Sequence, residues 1–253
     1  MKFSIIIPAR IGSKRFPKKL LFKIFEKPIL FYTIQNAKNS LANKIIVATD
    51  SQEIFNYSRK LDCEACLIEK KCDSGTERLY EAIKKFNLQK EEIIINLQGD
   101  EILVNHNIIN TLAKKFVKNK SEVETLGTHF TNLQDLLSFD SVKIVLDCNQ
   151  NALYFSRYPI PWRKENDAIK NKTVSNYIKH IGIYIYSSKF IQIYHNWKKT
   201  KLEKMENLEQ LRILWYARKI HVTVLKNIDL YSVNRIKDIK IVEKILKNEL
   251  YGI

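Results

Sequence analysis

The sequence predicts an α/β fold: a Rossmann-like, mostly parallel or mixed sheet with helices on both faces and a smaller second lobe. Three observations carry this. Short apolar runs alternate with amphipathic stretches through the first half of the 253 residues, a βαβα order. Hydrophobic residues make up 45% of the chain, enough to bury a substantial core. The strongest apolar run, Phe3-Ser4-Ile5-Ile6-Ile7, opens straight into a cation-rich loop. In an open α/β sheet ligands sit at the carboxyl ends of strands, so that junction is where function is sought.

Phe3 to Ile7 reads as the first strand. Ile29 to Asn39 has helical spacing, and Lys44 to Thr49 is the next strand. Gln52 to Lys60 is a helix behind an Asp50-Ser51 cap, Ala65 to Ile68 a strand, and Thr76 to Phe86 a helix. Ile93 to Leu97 is a strand and Ile108 to Lys118 a helix. The rhythm then changes. Lys143 to Leu146, Ala152 to Ser156, His180 to Tyr186 and His221 to Leu225 read as strands, with a polar loop at Lys164 to Asn176. Glu203 to Met205 is a short turn before a helix from Leu208 to Ala217, and a helix from Lys237 to Glu249 closes the chain. There is no internal repeat, low-complexity tract or long linker, so residues 1–253 read as one domain with halves at 1–120 and 121–253.

The balance of 43 Lys+Arg against 27 Asp+Glu gives +16 and favours anionic partners: nucleotides, acidic sugars, nucleic acid or a membrane surface. The lysines are scattered in ones and twos, which suits solvated faces better than a nucleic-acid stripe, so no specific nucleic-acid partner is expected. No run approaches the roughly 18 apolar residues of a membrane span, and the start lacks a secretory pattern. A cytoplasmic protein without membrane insertion is expected. Cys63, Cys66 and Cys72 cluster, with Cys148 far off, and no second pair completes a zinc spacing. Free thiols in a reducing compartment are the expectation.

Three segments carry chemistry. Arg10, Lys14, Arg15, Lys18 and Lys19 fall within one ten-residue stretch soon after the first strand, as either an anion site or a solvated basic loop. In Asp73-Ser74-Gly75-Thr76-Glu77-Arg78, Ser or Thr caps the following helix. Arg78 in a first helical turn opposes the dipole unless an anion or a carboxylate faces it. In Asn96-Leu97-Gln98-Gly99-Asp100-Glu101, Asp100 stands at a strand end, as a Mg²⁺ ligand beside a polyphosphate or as a turn aspartate.

These segments, with Phe155-Ser156-Arg157-Tyr158-Pro159-Ile160-Pro161, His180-Ile181-Gly182-Ile183-Tyr184 and Leu208-Glu209-Gln210-Leu211-Arg212, occur in the order they have in one family. The chain resembles, over nearly its whole length, the 3-deoxy-manno-octulosonate cytidylyltransferases, or CMP-Kdo synthetases, relatives of the sialic-acid cytidylyltransferases. The resemblance implies a fold of the nucleotide-diphospho-sugar transferase type. It implies a single nucleotidyltransferase domain with a nucleotide-binding first half, a sugar-binding and dimerisation second half, and a homodimer. It also implies transfer of CMP from CTP to Kdo with release of pyrophosphate, dependent on Mg²⁺, for lipopolysaccharide or capsule assembly.

By the same resemblance Arg10, Ser13, Arg15 and Lys19 hold the nucleotide's phosphates, with Lys19, Arg10 and Asp100 at the chemistry. Ser74, Gly75 and Arg78 lie beside nucleotide and sugar, and Gln98 and Asp100 at their junction. Arg157, His180, Tyr184, Glu209 and Gln210 meet the acidic sugar. The residue types suit these roles. Arg157 offers a planar fork to a carboxylate, and Glu209 and Gln210 can pair hydroxyls from one helix face. Pro159 and Pro161 stiffen the segment after Arg157. His180 also reads as a satisfied strand histidine.

The chain departs from the family in four places. Val233-Asn234-Arg235 stands where the family has Val-Asp-Thr, so Asn234 takes the place of a second metal ligand. Weaker metal binding, a rearranged site or a different acceptor would each follow. Lys18-Lys19-Leu20 replaces Gly-Lys-Pro, Ile102 replaces a proline after Glu101, and Cys72 replaces a histidine. Two competing functions stand beside Kdo activation: a cytidylyltransferase for another acidic sugar, such as an amino-substituted Kdo or a nonulosonic acid, and a basic nucleic-acid-binding module.

Overall fold

The computed structural model describes residues 2–13, 16–162, 171–226, 233, 235–236 and 238–251. Its elements in chain order are β1 (Phe3–Ala9), β2 (Lys23–Ile24), β3 (Lys27–Pro28), α1 (Ile29–Lys38), β4 (Lys44–Thr49), α2 (Gln52–Lys60) and β5 (Glu64–Leu67). Next come α3 (Gly75–Lys85), β6 (Ile93–Leu97), α4 (His106–Asn119), β7 (Val123–His129), α5 (Leu133–Leu137), β8 (Lys143–Leu146) and β9 (Ala152–Ser156). Then follow β10 (Ile178–Ser187), α6 (Ser188–His195), α7 (Lys201–Glu206), α8 (Leu211–Trp215), β11 (His221–Leu225) and α9 (Asp238–Tyr251). The chain divides into two compact units, one of Met1–Lys114, Ser187–His195 and Leu230–Ile253, the other of Lys115–Tyr186 and Asn196–Asp229. Among the described residues no helix is long and apolar enough to cross a membrane.

The first unit is built on four parallel strands in the order β6-β1-β4-β5. A parallel sheet carries helices on both faces, so its strands read as unbroken apolar runs rather than alternating ones. Accordingly all seven residues of β1 are buried, and Ile5, Ile6 and Ile7 are fully so. Ser51 caps α2 by accepting from the Ile54 N–H at 3.3 Å, and Ser74 caps α3 by accepting from Glu77 N–H at 3.2 Å. Late segments return to this unit. In α6 the Ser188 and Lys189 amides donate to the Glu92 and Lys90 carbonyls, and α9 buries Ile239, Val242 and Leu246.

In the second unit β7 pairs in parallel with β11 and antiparallel with β10, which pairs with β8, and β8 pairs with β9. Strand β7 is absent from the sequence expectation because Glu124 and Gly127 interrupt its apolar pattern. Glu124 is nonetheless fully buried, its carboxylate accepting from the Thr223 hydroxyl at 2.6 Å and the Asn119 amide at 3.2 Å. Lys143 is also fully buried; its ammonium donates to the carbonyls of Ser138, Ser141 and Arg157 at 2.7–2.8 Å. Desolvation pushes that ammonium down to about 8.

The helix expected from Leu208 to Ala217 is shorter. Asn207 and Ala217 both adopt positive φ, at 53° and 55°, and only Leu211–Trp215 is α-helical. Glu209 and Gln210 therefore lie in the turn leading into α8 rather than along a helix face, with Gln210 at the N-cap. The turn expected at Glu203–Met205 is the helix α7, started by a Thr200–Glu203 capping box. Of the polar loop expected at Lys164 to Asn176, Asn171–Asn176 is a 3-10 helix and the rest lies outside the described residues.

Candidate active site

In the first unit the carboxyl ends of β1, β4 and β6 present, in turn, Arg10, Asp50 and the Gln98-Gly99-Asp100 turn. Arg10 is exposed and Ser13 half-buried; Arg15 lies outside the described residues. The loop closes at a 3-10 turn, Lys19–Leu21, entered through Lys18 with φ 51°. There the Lys19 ammonium donates to the Asp100 carboxylate and, at 2.9 Å, to the Val233 carbonyl. Both side chains are largely withdrawn from water, 14% and 23% exposed. The Thr33 hydroxyl fixes the preceding carbonyl, donating to Gly99 O at 3.0 Å. A Cβ on Gly99 would come within 3.1 Å of Leu20 Cδ1, so a larger residue would require the Leu20 side chain to give way where the β6 turn meets the basic loop.

Arg78 is 4% exposed, and its Nη2 donates to Asp50 Oδ2 at 3.0 Å, while the Ile11 amide donates to Asp50 Oδ1 at 2.9 Å. The carboxylate that the first-turn arginine requires is thus Asp50. Sequence reading places Asp50 only in the α2 cap and misses this bridge. The available signal is its position directly after a buried strand, the same position that singles out Asp100 beyond β6. Arg78 Nε is buried without a partner among the described residues. Ser74 is committed to capping α3, and Gly75 packs against Gln98, where a Cβ would lie 3.3 Å from the Gln98 amide. The Gln98 amide itself donates to Asn96 Oδ1 at 3.1 Å.

These groups suit a polyphosphate carrying Mg²⁺. Among the described residues no three His, Cys, Asp or Glu converge as a ready metal cage. Mg²⁺ needs no such cage, since it takes one or two carboxylates and completes its shell with phosphate oxygens and water. Asp100 is a single, partly exposed carboxylate already matched to a cation, which fits that pattern. Asn234 lies outside the described residues.

The residues expected to meet the sugar fall in the second unit. His180 and Tyr184 share one face of β10, ring centroids 5.3 Å apart, with the Phe155 ring edge-on to His180 at 5.3 Å. A bulge between Ile181 and Tyr184 interrupts the pairing with β7, and the Thr125 hydroxyl sits inside it. Desolvation pushes the His180 ring down to about 3 and raises the Tyr184 phenol well above its ordinary value, Thr125 pulling the latter the other way. Gln210 is 8% exposed, its Nε2 buried without a partner among the described residues. Glu209 is half-buried and close enough to Tyr184 to oppose its ionisation.

The Arg157 guanidinium faces main chain. Its Nε donates to Glu206 O at 2.8 Å, Nη1 to Phe139 O at 2.8 Å and Nη2 to Asn207 O at 3.2 Å, while Glu206 accepts from the Arg157 amide at 2.9 Å. As it stands, the fork ties α7 and its exit to β9. Thr125 and Lys143, which holds the Arg157 carbonyl, are further residues that sequence reading misses.

Residues 4–220 match the cytidylyltransferase family pattern. A 3-deoxy-manno-octulosonate cytidylyltransferase from Wigglesworthia glossinidia brevipalpis is 46% identical over 240 residues, 94% of this chain and 97% of that protein. One of the same description from Photobacterium profundum is 41% identical over 225 residues, 88% of this chain and 91% of its own. Among solved structures, a CMP:2-keto-3-deoxy-manno-octonic acid synthetase complexed with CTP superposes with TM-score 0.86 at 29% identity, covering 98% of this chain and all of the other.

Proposed function

The chain belongs to the 3-deoxy-manno-octulosonate cytidylyltransferase family, and on that footing we propose that it joins CTP to Kdo, giving CMP-Kdo and pyrophosphate. The observation that carries this reading is the 46% identity running through 94% of the chain to a relative of that description. In the reaction the anomeric hydroxyl oxygen of the sugar attacks the α-phosphorus in line. The new O–P bond forms as the bond from the α-phosphorus to the bridging oxygen breaks, and pyrophosphate leaves with that electron pair. The hydroxyl proton goes to solvent.

Such transfer depends on positioning and charge neutralisation rather than on a covalent enzyme intermediate. Arg10, Ser13, Arg15 and Lys19 would hold the phosphates, Lys19 and Arg10 offsetting charge on the leaving group. Arg78, held by Asp50, would stand beside the nucleotide with Ser74, Gly75 and Gln98. Mg²⁺, when held by Asp100, supplies a hard cation that neutralises phosphate oxygens and lowers the pKa of a nearby hydroxyl. Arg157, His180, Tyr184, Glu209 and Gln210 would bind the sugar, the last from its buried, unpartnered amide. The active form is a homodimer in the cytoplasm, feeding lipopolysaccharide or capsule assembly.

The test is a ³¹P NMR time course on the purified protein with CTP, Mg²⁺ and Kdo. A phosphodiester resonance and pyrophosphate growing in equal amounts support the proposal. CTP persisting unchanged, with RNA bound tightly and steeply salt-dependent, would return the nucleic-acid-binding reading.

A further inference from the structure

The Thr125 hydroxyl has one proton to give and, beside the Tyr184 phenol, three further polar neighbours. It lies 2.6 Å from the Ile183 carbonyl, 3.3 Å from the Ile181 carbonyl and 3.2 Å from His180 Nε2. A carbonyl oxygen only accepts, so the short contact to Ile183 consumes the hydroxyl proton. Toward the imidazole the hydroxyl can then offer only a lone pair. Nε2 must carry the hydrogen. A neutral imidazole has a single N–H, which leaves Nδ1 as a bare acceptor.

The surroundings hold this arrangement. Thr125 is fully buried, the β10 bulge supplies both carbonyls that orient its hydroxyl, and the His180 ring is packed between Phe155 and Tyr184. Burial keeps the ring neutral until about pH 3, so no second proton competes for Nδ1. We infer that Thr125 is a positioning residue that fixes His180 as the Nε2–H tautomer, so that Nδ1 accepts a hydrogen bond from a sugar hydroxyl. This rests on the sugar-site reading above and deepens it. A neutral acceptor repels a carboxylate, so His180 serves a hydroxyl, and the acid group of the sugar must be met by other side chains. A sugar lacking that hydroxyl would bury Nδ1 unpaired and bind roughly five- to hundredfold more weakly.

Two measurements on the full chain decide it. Long-range ¹H–¹⁵N correlation of the ¹⁵N-labelled, ligand-free protein should show His180 with protonated Nε2 and bare Nδ1. Thr125→Val should raise KM for Kdo by roughly five- to hundredfold while leaving KM for CTP unchanged, and Thr125→Ser should restore the wild-type value. A wild-type ring protonated at Nδ1 overturns the inference, as does Thr125→Val with an unaltered KM for Kdo or with both KM values raised alike. If Kdo is not a substrate at all, the sugar reading fails, and the tautomer in the free protein still decides whether Thr125 sets it. The same spectrum decides the matter if Thr125→Val does not fold.

Discussion

Lys19 and Asp100 are ion-paired at the carboxyl edge of the parallel sheet, and the same ammonium reaches the Val233 carbonyl at 2.9 Å. One lysine thereby joins the basic loop after β1, the turn after β6 and the segment leading to α9. The Asp100 side chain is 23% exposed and is paired with Lys19. Asp100→Ala should therefore abolish turnover while leaving the melting temperature within a few degrees of wild type. Activity retained with an unchanged Mg²⁺ requirement would remove Asp100 from the metal.

Asp50 and Arg78 should act as a unit on the nucleotide. Asp50→Ala leaves a buried guanidinium without its carboxylate and releases the Ile11 amide, so KM for CTP should rise. In a double-mutant cycle with Arg78→Ala, a coupling of about 0.5–3 kcal/mol in kcat/KM for CTP is expected. Additive effects would show that the contact has no part in nucleotide handling.

Lys18 sits at φ 51°, a left-handed conformation that disfavours side chains and that the resembled family fills with glycine. Its ion pair with Glu53 at 3.4 Å is exposed on both sides and adds little. Lys18→Gly should stabilise the protein by about 1 kcal/mol, read as a raised urea midpoint. An equal loss would mean that glycine's extra freedom in the unfolded chain outweighs the relieved strain.

Much of the first unit was readable in advance because parallel strands buried on both faces announce themselves as apolar runs, as Phe3 to Ile7 and Ile93 to Leu97 do. The place of Asp100 just beyond β6 is readable because it follows such a run. Strand β7 was not, since its buried Glu124 is satisfied by Thr223 and Asn119, partners that only the folded chain brings together. Thr125 was hidden with it. Asp50 was misread because a cap and a bridge begin with the same local pattern, and only the placement of Arg78 and Ile11 tells them apart. The α8 boundary failed for a local reason, the positive φ of Asn207 and Ala217, which composition alone does not signal.

His180 should make the fold acid-sensitive. Burial holds the folded ring neutral down to about pH 3, whereas the unfolded chain takes up a proton near the ordinary value of 6.5. The unfolded state thus binds more protons between these values, and stability is lost as pH falls from about 6.5 toward 3. Between pH 7 and pH 5 the wild type should lose roughly 2 kcal/mol more than His180→Asn, from about 1.36 kcal/mol per pH unit. Equal losses in urea titrations of the two proteins would place the ring in water.

The most direct test of the account is the ratio of kcat/KM values for Kdo and for other acidic sugars, measured by pyrophosphate release with CTP and Mg²⁺. Turnover with Kdo should stand well above that with amino-substituted Kdo or nonulosonic acids. Turnover confined to one of those other acids would contradict it and tie the departure at Asn234 to a changed acceptor.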